Sequence, residues 1–320
     1  MNKSIKKYSL VVFLFISTTC FAQSNAGFKK VDDYVKSLGK LDTLNMGTIS
    51  HILTKNFTDN TDKVRAIFDW IAYNISFDIK MYRSSTNEKM VSEDVLKTRK
   101  ANPYGYAALF QDMCSVAKIR CLTVDGYVKN STEDIGEKPD GFNHTWAVIQ
   151  LGTSPEAWHY VDPAWGSGFL DEKKTTFTPE YNDAFFFAEK SIFNYQHFPN
   201  NEAWLLGPGT KDLKNFLSMP LVKNAAYEFG LKNINPYTGH IKTKTKNAVQ
   251  FNIGTTAGKA IDIVSLQIIA GKKKETKTMD YTVKNGAISF SYNFTEEDTY
   301  PVNVLVNNKI ILSYVVEVSE

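Results

Sequence analysis

The stretch from Arg99 to Phe110, RKANPYGYAALF, has the features of a helix N-terminus. Pro103 fits the first turn of a helix, where its missing N–H costs nothing. We therefore predict a helix from Asn102 that continues through PYGYAALFQDMCSVAKI. The first turn of such a helix is also where a thiolate is stabilised, yet the stretch contains no cysteine, serine or threonine.

Helices precede this stretch and short strands follow it. Two upstream segments place apolar residues at helical spacing, FKKVDDYVKSLG and TDKVRAIFDWIAYNISFD. Downstream, polar loops separate three short apolar segments that predict strands, CLTVDGYV, HTWAVIQL and AWHYVDPAW. Helices followed by an antiparallel sheet indicate an α+β domain, which we place at residues 23–232.

The sequence changes character beyond Asn235. Its segments become short, alternating and rich in β-branched residues, and turn sequences such as VNNK and KNGA separate them. This pattern predicts a C-terminal Ig-like β-sandwich over residues 233–320.

Residues 1–22 have the three-part form of a secretory signal peptide. Three lysines precede an apolar run, and small residues lead to a predicted cleavage site after Ala22. The apolar run is too short for a transmembrane helix, which needs about 20 residues. We therefore expect an exported protein, periplasmic or extracellular, without transmembrane anchoring. Lipoprotein anchoring on Cys20 is the alternative.

The net charge of the mature chain indicates which classes of partner it can attract. Removal of the signal peptide takes away three lysines and no acidic residue, so the formal net charge falls from +3 to 0. A neutral chain lacks the basic face that nucleic acid attracts, so we expect no nucleic-acid partner.

His144 and Asp162 are the residues from which we expect chemistry. His144 begins the predicted strand HTWAVIQL, and Asp162 ends the next one, WHYVD. In antiparallel register the two side chains come close together at one end of the sheet. A cysteine hydrolase or acyltransferase needs such an imidazole and carboxylate, together with a thiolate at a helix N-terminus. The sequence supplies the imidazole and the carboxylate.

Three segments resemble the motifs of the transglutaminase-like superfamily: SEDVLKTRKANPYGYAALFQDMCSVAKIRCLTVDGYVK, FNHTWAVIQL and WHYVDPAWGSG. The family motifs read approximately Arg-x-x-x-Cys-x-Gly-Tyr-Ala, then Asn-His-x-Trp, then Asp-x-x-Trp. The resemblance covers residues 60–170. The following HFPNNEAWLLGPGTKDLKNFLSMP is similar to the segment downstream of the core in the kyphoscoliosis-peptidase branch, which extends the resemblance toward residue 230.

Carried over residue by residue, the resemblance places residues 105–107 at the end of the nucleophile motif. His144 matches the catalytic histidine and Asp162 the catalytic aspartate, while the family's cysteine falls on Pro103. The resemblance therefore implies a papain-like fold and a triad without its nucleophile.

The neighbouring residues are poor substitutes for the missing cysteine. Cys114 lies further along the same helix, roughly 16 Å away at a rise of about 1.5 Å per residue. Cys121 belongs to the following strand; whether the two cysteines form a disulfide is left open by the sequence. Tyr104 is adjacent, but a phenol has a pKa of about 10. Asn102 is not nucleophilic enough.

A ligand cleft is one interpretation of the residues around these positions. Tyr104, Gly105, Trp146 and Trp165 would line it, as aromatic residues often do in clefts. Packing in a core is the commoner alternative for large aromatic residues. His144 and Asp162 likewise either bind a ligand or support the fold through a buried hydrogen bond.

The remaining histidines are His51, His159, His197 and His240. Their positions show no mutual spacing that suggests a metal site. We interpret them as incidental, and we expect no metal and no cofactor.

Three functions are compatible with the sequence. The first is an exported transglutaminase-like pseudoenzyme that binds a protein, peptide or cell-envelope polymer without catalysis. The alternative is a cysteine-protease-like hydrolase or transamidase relative that uses an unorthodox nucleophile, such as Tyr104, or water activated by His144. The third is a structural or assembly protein whose C-terminal domain docks a partner.

Overall fold

The computed structural model describes residues 27–84, 89–171, 173–256 and 258–320. The predicted signal peptide and Cys20 lie outside these ranges, so export and lipoprotein anchoring stay predictions. Within these ranges, no helix is long and apolar enough to cross a membrane.

The helices of the described residues are α1 (Lys29–Leu38), α2 (Met46–Thr54), α3 (Asn60–Asn74), α4 (Ile79–Arg83), α5 (Ser92–Thr98), α6 (Pro103–Val116), α7 (Pro163–Ser167), α8 (Lys190–Gln196), α9 (Leu213–Ser218) and α10 (Ala226–Phe229). The strands are β1 (Ser76–Phe77), β2 (Lys100–Ala101), β3 (Cys121–Val128), β4 (His144–Gln150), β5 (Trp158–Val161), β6 (Gly168–Leu170), β7 (Phe177–Pro179), β8 (His197–Pro199), β9 (Leu221–Val222), β10 (Ile234–Asn235), β11 (His240–Lys244), β12 (Ala248–Gly254), β13 (Val264–Ala270), β14 (Lys273–Thr278), β15 (Thr282–Lys284), β16 (Ala287–Asn293), β17 (Asp298–Val306) and β18 (Lys309–Ser319).

The central helix of the first domain is α3. Every residue from Val64 to Ala72 is buried, as expected for a helix that other elements surround. Helices α1 and α2 pack on it, and α6 packs both on α3 and on strands β3 and β4.

The helix predicted from Asn102 is confirmed. α6 begins with Pro103, and the side chain of Asn102 accepts a hydrogen bond from the backbone N–H of Gly105 at 3.0 Å. This cap satisfies one of the free N–H groups of the first turn, where Pro103 has none to satisfy. Local sequence therefore fixes the point at which α6 begins.

The first domain contains a four-stranded sheet in the order β5-β4-β3-β8, and every pair in it is antiparallel. Strand β3 lies between β4 and β8, while β4 also pairs with β5. Helices and an antiparallel sheet form one core, so the predicted α+β domain is confirmed.

Two sheets make up the C-terminal domain. One has the order β10-β12-β16-β15, and the other has the order β11-β18-β17-β13-β14. Phe251 of β12 stacks on Phe290 of β16 and meets Tyr314 of β18 edge to face, so the two sheets share an apolar interior. The predicted C-terminal β-sandwich is confirmed.

The segment from α9 to α10 joins the two domains. Strand β9 pairs antiparallel with β18, and Val222, Ala226 and Phe229 belong to the hydrophobic core of the sandwich. These residues precede the predicted boundary at residue 232, so packing places them with the second domain.

Lys129 ties the same segment to the first domain. It follows β3, and its buried Nζ donates hydrogen bonds to the carbonyl oxygens of Phe216 at 2.6 Å and Met219 at 2.7 Å. Burial lowers the pKa of Lys129 to about 7, against the opposing effect of Asp134. Above about pH 7 the folded protein therefore holds the neutral amine, which still has N–H groups for both carbonyls.

This preference gives a pH dependence of stability. Between about pH 7 and the pKa of an exposed lysine, about 10.4, the unfolded chain binds the proton that folded Lys129 has released. The free energy of unfolding therefore gains a contribution that rises with pH across this window. We expect Lys129→Met to lose it, so that the gap in stability between wild type and Lys129→Met grows in favour of wild type from pH 7 to pH 10. Urea unfolding at several pH values measures the gap.

Lys214→Met, on an exposed position of α9, is the matched control and should give a gap that does not change with pH. A constant gap for Lys129→Met as well would contradict a lowered pKa for the buried amine.

Candidate functional site

Asp162 lies at the point where β5 ends and α7 begins. Its Oδ1 accepts hydrogen bonds from the backbone N–H groups of Ala164 and Trp165, each at 3.0 Å. Pro163 occupies the first helical position, where no N–H is needed. The sequence Asp-Pro thus caps α7 and fixes the orientation of the carboxylate, which is completely buried.

His144 is the first residue of β4. Its Nε2 lies 2.6 Å from Oδ2 of Asp162, and both side chains are buried. The strands β4 and β5 are antiparallel neighbours, as the sequence predicts, so the start of one lies beside the end of the other. The structure brings the two predicted residues into direct hydrogen-bond contact.

A second histidine reaches the same carboxylate. Nε2 of His197, the first residue of β8, lies 3.1 Å from Oδ2 of Asp162, and the side chain is fully buried. The interpretation of His197 as incidental is therefore wrong. Strand β8 pairs with β3 on the side away from β4, with His197 opposite Val128, and this pairing places the two histidines around one carboxylate.

Gly126 of β3 allows both neighbouring strands to approach. A Cβ at this position would lie 2.3 Å from the carbonyl oxygen of Phe198 in β8 and 2.6 Å from the indole ring of Trp146 in β4. Since the carbonyl is backbone, β8 would have to move, and His197 with it. The histidine cluster therefore requires a glycine at position 126.

The electrostatics of the cluster follow from burial and hydrogen bonding. Burial alone would raise the pKa of Asp162, but the interaction with His144 and hydrogen bonds from both histidines outweigh it and hold the pKa well below its usual range. Burial lowers the pKa of His197 to about 4, against the opposing effect of its hydrogen bond to Asp162. At neutral pH the cluster therefore contains an ionised carboxylate and a neutral His197.

Two histidines and a carboxylate are also a recognised set of metal ligands. Their donor atoms lie within 4.8 Å of one another. A metal ion would need all three atoms about 2 Å from one point. Instead, both imidazole nitrogens point at a single carboxylate oxygen over the lengths of hydrogen bonds, 2.6 and 3.1 Å. The arrangement fits a hydrogen-bonded cluster better than a metal centre, and the expectation of no metal stays a prediction.

A cleft of about 660 Å³ opens beside His144. Pro103 and Trp165 line it together with His144, and the sandwich contributes Asn308 and Ile310. Pro103 therefore lies at a helix N-terminus, in the wall of the same cleft as His144. The two domains together form this cleft.

Aromatic and amide side chains make up much of the lining. Phe77 stacks on Phe177 with their ring centroids 5.6 Å apart, and Phe169 projects with 46% of its surface exposed. The aromatic residues in the lining are Phe77, Tyr82, Trp165, Phe169 and Phe177, and the amides are Asn130, Asn182, Asn224 and Asn308. This combination suits a ligand with both apolar groups and hydrogen-bonding groups.

Three of the four residues predicted to line a cleft do not do so. Trp146 is completely buried and packs against His144 and His197. Gly105 faces α5, and a Cβ there would lie 2.9 Å from the side chain of Val95. Tyr104 lies beside Thr145, away from the cleft lining.

The residues considered as substitutes for a cysteine are not suited to that role. Burial raises the pKa of Tyr104, which disfavours the phenolate that a nucleophile would need. Cys114 and Cys121 are both buried free thiols, and burial raises the pKa of Cys114 well above its usual value. A thiol without access to the cleft and without thiolate character is inert.

Comparison with known proteins agrees with these motifs. Residues 48–163 match the family model of the transglutaminase-like superfamily. Kyphoscoliosis peptidase of Homo sapiens is 34% identical over 220 residues, and the Mus musculus protein is 33% identical over 217 residues; each alignment covers 68% of this chain and 32% of the relative. Lim and transglutaminase domain protein ltd-1 of Caenorhabditis elegans is 25% identical over 242 residues, which are 71% of this chain and 32% of that protein. The chain thus spans about a third of the length of these relatives.

Removal of the Asp162 carboxylate, which both histidines share, should lower the free energy of unfolding. Asp162→Ala leaves two buried imidazoles and two N–H groups of α7 without their acceptor, so we expect a loss of about 3 kcal/mol or more in the free energy of unfolding at pH 7. Because folding lowers the pKa of Asp162, this contribution is present above about pH 4 and is lost as the pH falls further. Urea unfolding at pH 7 and at pH 3 measures both effects.

Asp171→Ala is the matched control. Asp171 also accepts hydrogen bonds from backbone N–H groups, those of Thr175 and Thr176, but at the surface, so its loss should lower the free energy of unfolding much less than the loss of Asp162. Equal losses for the two variants would show that the cluster around Asp162 has no special role in stability.

Proposed function

Because residues 48–163 belong to the transglutaminase-like superfamily, and the chain to its kyphoscoliosis-peptidase-like branch, we propose that this protein is a non-catalytic relative that binds an extended peptide segment in its cleft. The segment belongs to a protein, a free peptide or a cell-envelope polymer that contains peptide.

The single observation that carries the proposal is Pro103. It is buried at the start of α6, in the wall of the cleft that His144 also lines, and it has neither a nucleophilic atom nor an N–H. Loss of the nucleophile of a triad typically leaves only about 10³- to 10⁴-fold acceleration over water. Amide hydrolysis at that rate is negligible.

Retention of the remaining site supports binding. The His144–Asp162 pair is intact, a further histidine stabilises it, and the cleft beside it is open and lined by aromatic rings and amides. Amide side chains can pair with the N–H and C=O groups of an extended backbone, and aromatic rings pack on its side chains.

The proposal also bears on the hydrolase alternative, on the role of the sandwich and on export. The hydrolase alternative is not favoured, since Tyr104 is not among the residues that line the cleft and burial raises its pKa. The sandwich supplies part of the cleft wall, so we propose that it takes part in the same binding event. Export by the predicted signal peptide is consistent with a peptide-binding role outside the cytoplasm.

The first test restores the missing nucleophile. In Pro103→Cys the introduced thiol lies at a helix N-terminus in the same cleft as His144, so we expect its reaction with iodoacetamide at pH 7 to be at least about tenfold faster than in Pro103→Cys with His144→Ala. Mass spectrometry of the tryptic peptides locates and times the label.

Ala108→Cys serves as the matched control, because it places a thiol further along the same helix, where His144→Ala should have no effect on labelling. Wild type should remain unlabelled in the peptide that contains Pro103. Labelling of the wild-type cleft that depends on His144 would identify the protein as an enzyme.

The second test addresses the cleft itself. Binding of the blocked peptide N-acetyl-Gln-Phe-Ala amide, followed by saturation-transfer NMR, should weaken at least about fivefold in Phe169→Ala, since a large aromatic contact is lost. Tyr237→Ala should bind as wild type does. Phe169 and Tyr237 are each 46% exposed, but Tyr237 is not among the residues of the cleft lining. Equal affinity in both variants would remove the cleft as the binding site.

A further inference from the structure

We propose that His144 presents a hydrogen-bond acceptor to the cleft, so that the ligand must bring an N–H or O–H group to this point, and that His197 is a positioning residue for this contact. The inference rests on the proposed function, because it names the chemistry that the bound segment supplies beside Pro103.

The ionised carboxylate of Asp162 determines where a neutral His144 carries its proton. An ionised carboxylate has no hydrogen to donate, so each nitrogen in contact with it must carry one. Nε2 of His144 lies 2.6 Å from Oδ2 of Asp162, the shortest of the contacts to this carboxylate. The proton of a neutral His144 is therefore on Nε2, and Nδ1 carries the lone pair.

The position of Nδ1 follows from the same contact. Nε2 faces Asp162, which is completely buried, while His144 is one of the residues that line the cleft. Nδ1 is thus the ring nitrogen available to a ligand. Pro103, the residue at the place of a nucleophile, has no hydrogen on nitrogen or oxygen to give to Nδ1. The acceptor therefore remains for a group that enters the cleft.

His197 helps to hold this arrangement. Its ring stacks on Phe193 at a centroid distance of 3.8 Å, with 5° between the planes, and meets Trp146 edge to face at 5.2 Å. This packing holds the ring between two aromatic neighbours. Its Nε2 lies 3.1 Å from Oδ2 of Asp162, and because an ionised carboxylate cannot donate, the single N–H of the neutral ring belongs on Nε2.

Asp162 is then surrounded by four donors: two backbone N–H groups on Oδ1 and two imidazole N–H groups on Oδ2. The carboxylate can neither rotate nor take a proton from a ligand without breaking one of them. His144 is consequently held with Nε2 inward and Nδ1 outward.

The charge of the cluster and the lone pair on Nδ1 determine which chemical groups of a ligand can bind beside His144. The ionised carboxylate of Asp162 brings a negative charge to the cluster, and the cleft side of a neutral His144 offers a lone pair. A carboxylate or phosphate group would meet repulsion from both. The backbone N–H of a peptide, or a hydroxyl group, is attracted by both.

A pair of matched probes tests the inference. N-acetyl-phenylalanine N-methylamide has a terminal amide N–H, while the N,N-dimethylamide lacks it and has nearly the same size. At pH 8.5, above the range in which exposed imidazoles titrate, we expect wild type to bind the N-methylamide at least about fivefold more tightly. Saturation-transfer NMR titrations give both dissociation constants.

Variants assign the preference to His144. His144→Phe should bind the two probes equally, whereas His144→Asn, whose Oδ1 can take the place of Nδ1, should keep part of the preference. In His197→Phe the carboxylate loses one donor and the preference should fall, and in His197→Gln, whose amide can donate to Oδ2, it should return. Far-UV circular dichroism confirms that each variant is folded.

The outcomes separate the two proposals. If wild type binds both probes equally, and Phe169→Ala weakens both, the cleft binds ligands but the acceptor role of His144 is wrong. If neither probe binds in a manner that depends on Phe169, the proposed function fails. A preference for the N-methylamide that survives in His144→Phe also overturns the inference, since the acceptor must then lie elsewhere. Equal preferences in His197→Phe and wild type would remove the positioning role of His197.

Discussion

The carboxylate of Asp162 is the group on which the site depends. It is completely buried, and it accepts hydrogen bonds from the start of α7, from β4 through His144 and from β8 through His197. An unpaired charge in such a place would cost several kcal/mol, so the three elements and the carboxylate require one another. The same interaction therefore stabilises the core sheet and orients the histidine that faces the cleft.

This dependence gives His144 and Asp162 a structural role that does not require a nucleophile. If His144 and Asp162 served only a nucleophile, their geometry would lose its purpose when Pro103 occupies the nucleophile position. In this protein the pair is also part of the packing, because His144 contacts Trp146, Trp165 and His197. The pair therefore belongs to a cleft wall that the second domain completes.

Local sequence was sufficient for the parts of the site that neighbouring elements build. Pro103 in the first turn predicts α6, and the apolar segments on either side of the loop at residues 151–157 predict β4 and β5. With these elements comes the contact between His144 and Asp162. His197 could not be found in this way. It lies 35 residues beyond Asp162 and reaches it only because β8 adds to the far side of β3, a pairing that no local pattern encodes.

The direction of Trp146 and the packing of the residues around Val222 could not be predicted from local sequence, for related reasons. Both faces of the sheet are covered at β4, so nearly every residue of this strand is buried. Alternation of apolar and polar residues therefore does not indicate which face Trp146 occupies. Residues around Val222 join the sandwich because β9 pairs with β18, close to the end of the chain. Both features depend on partners that are distant in sequence.

The central claim is that the wild-type cleft holds a triad scaffold without a nucleophile, and pre-steady-state kinetics with p-nitrophenyl acetate test it most directly. The account predicts no burst of p-nitrophenol beyond that of His144→Ala, and no acetyl adduct in the cleft by mass spectrometry. A stoichiometric burst that His144→Ala abolishes, with the acetyl group on a residue of the cleft, would contradict it and make this protein an enzyme.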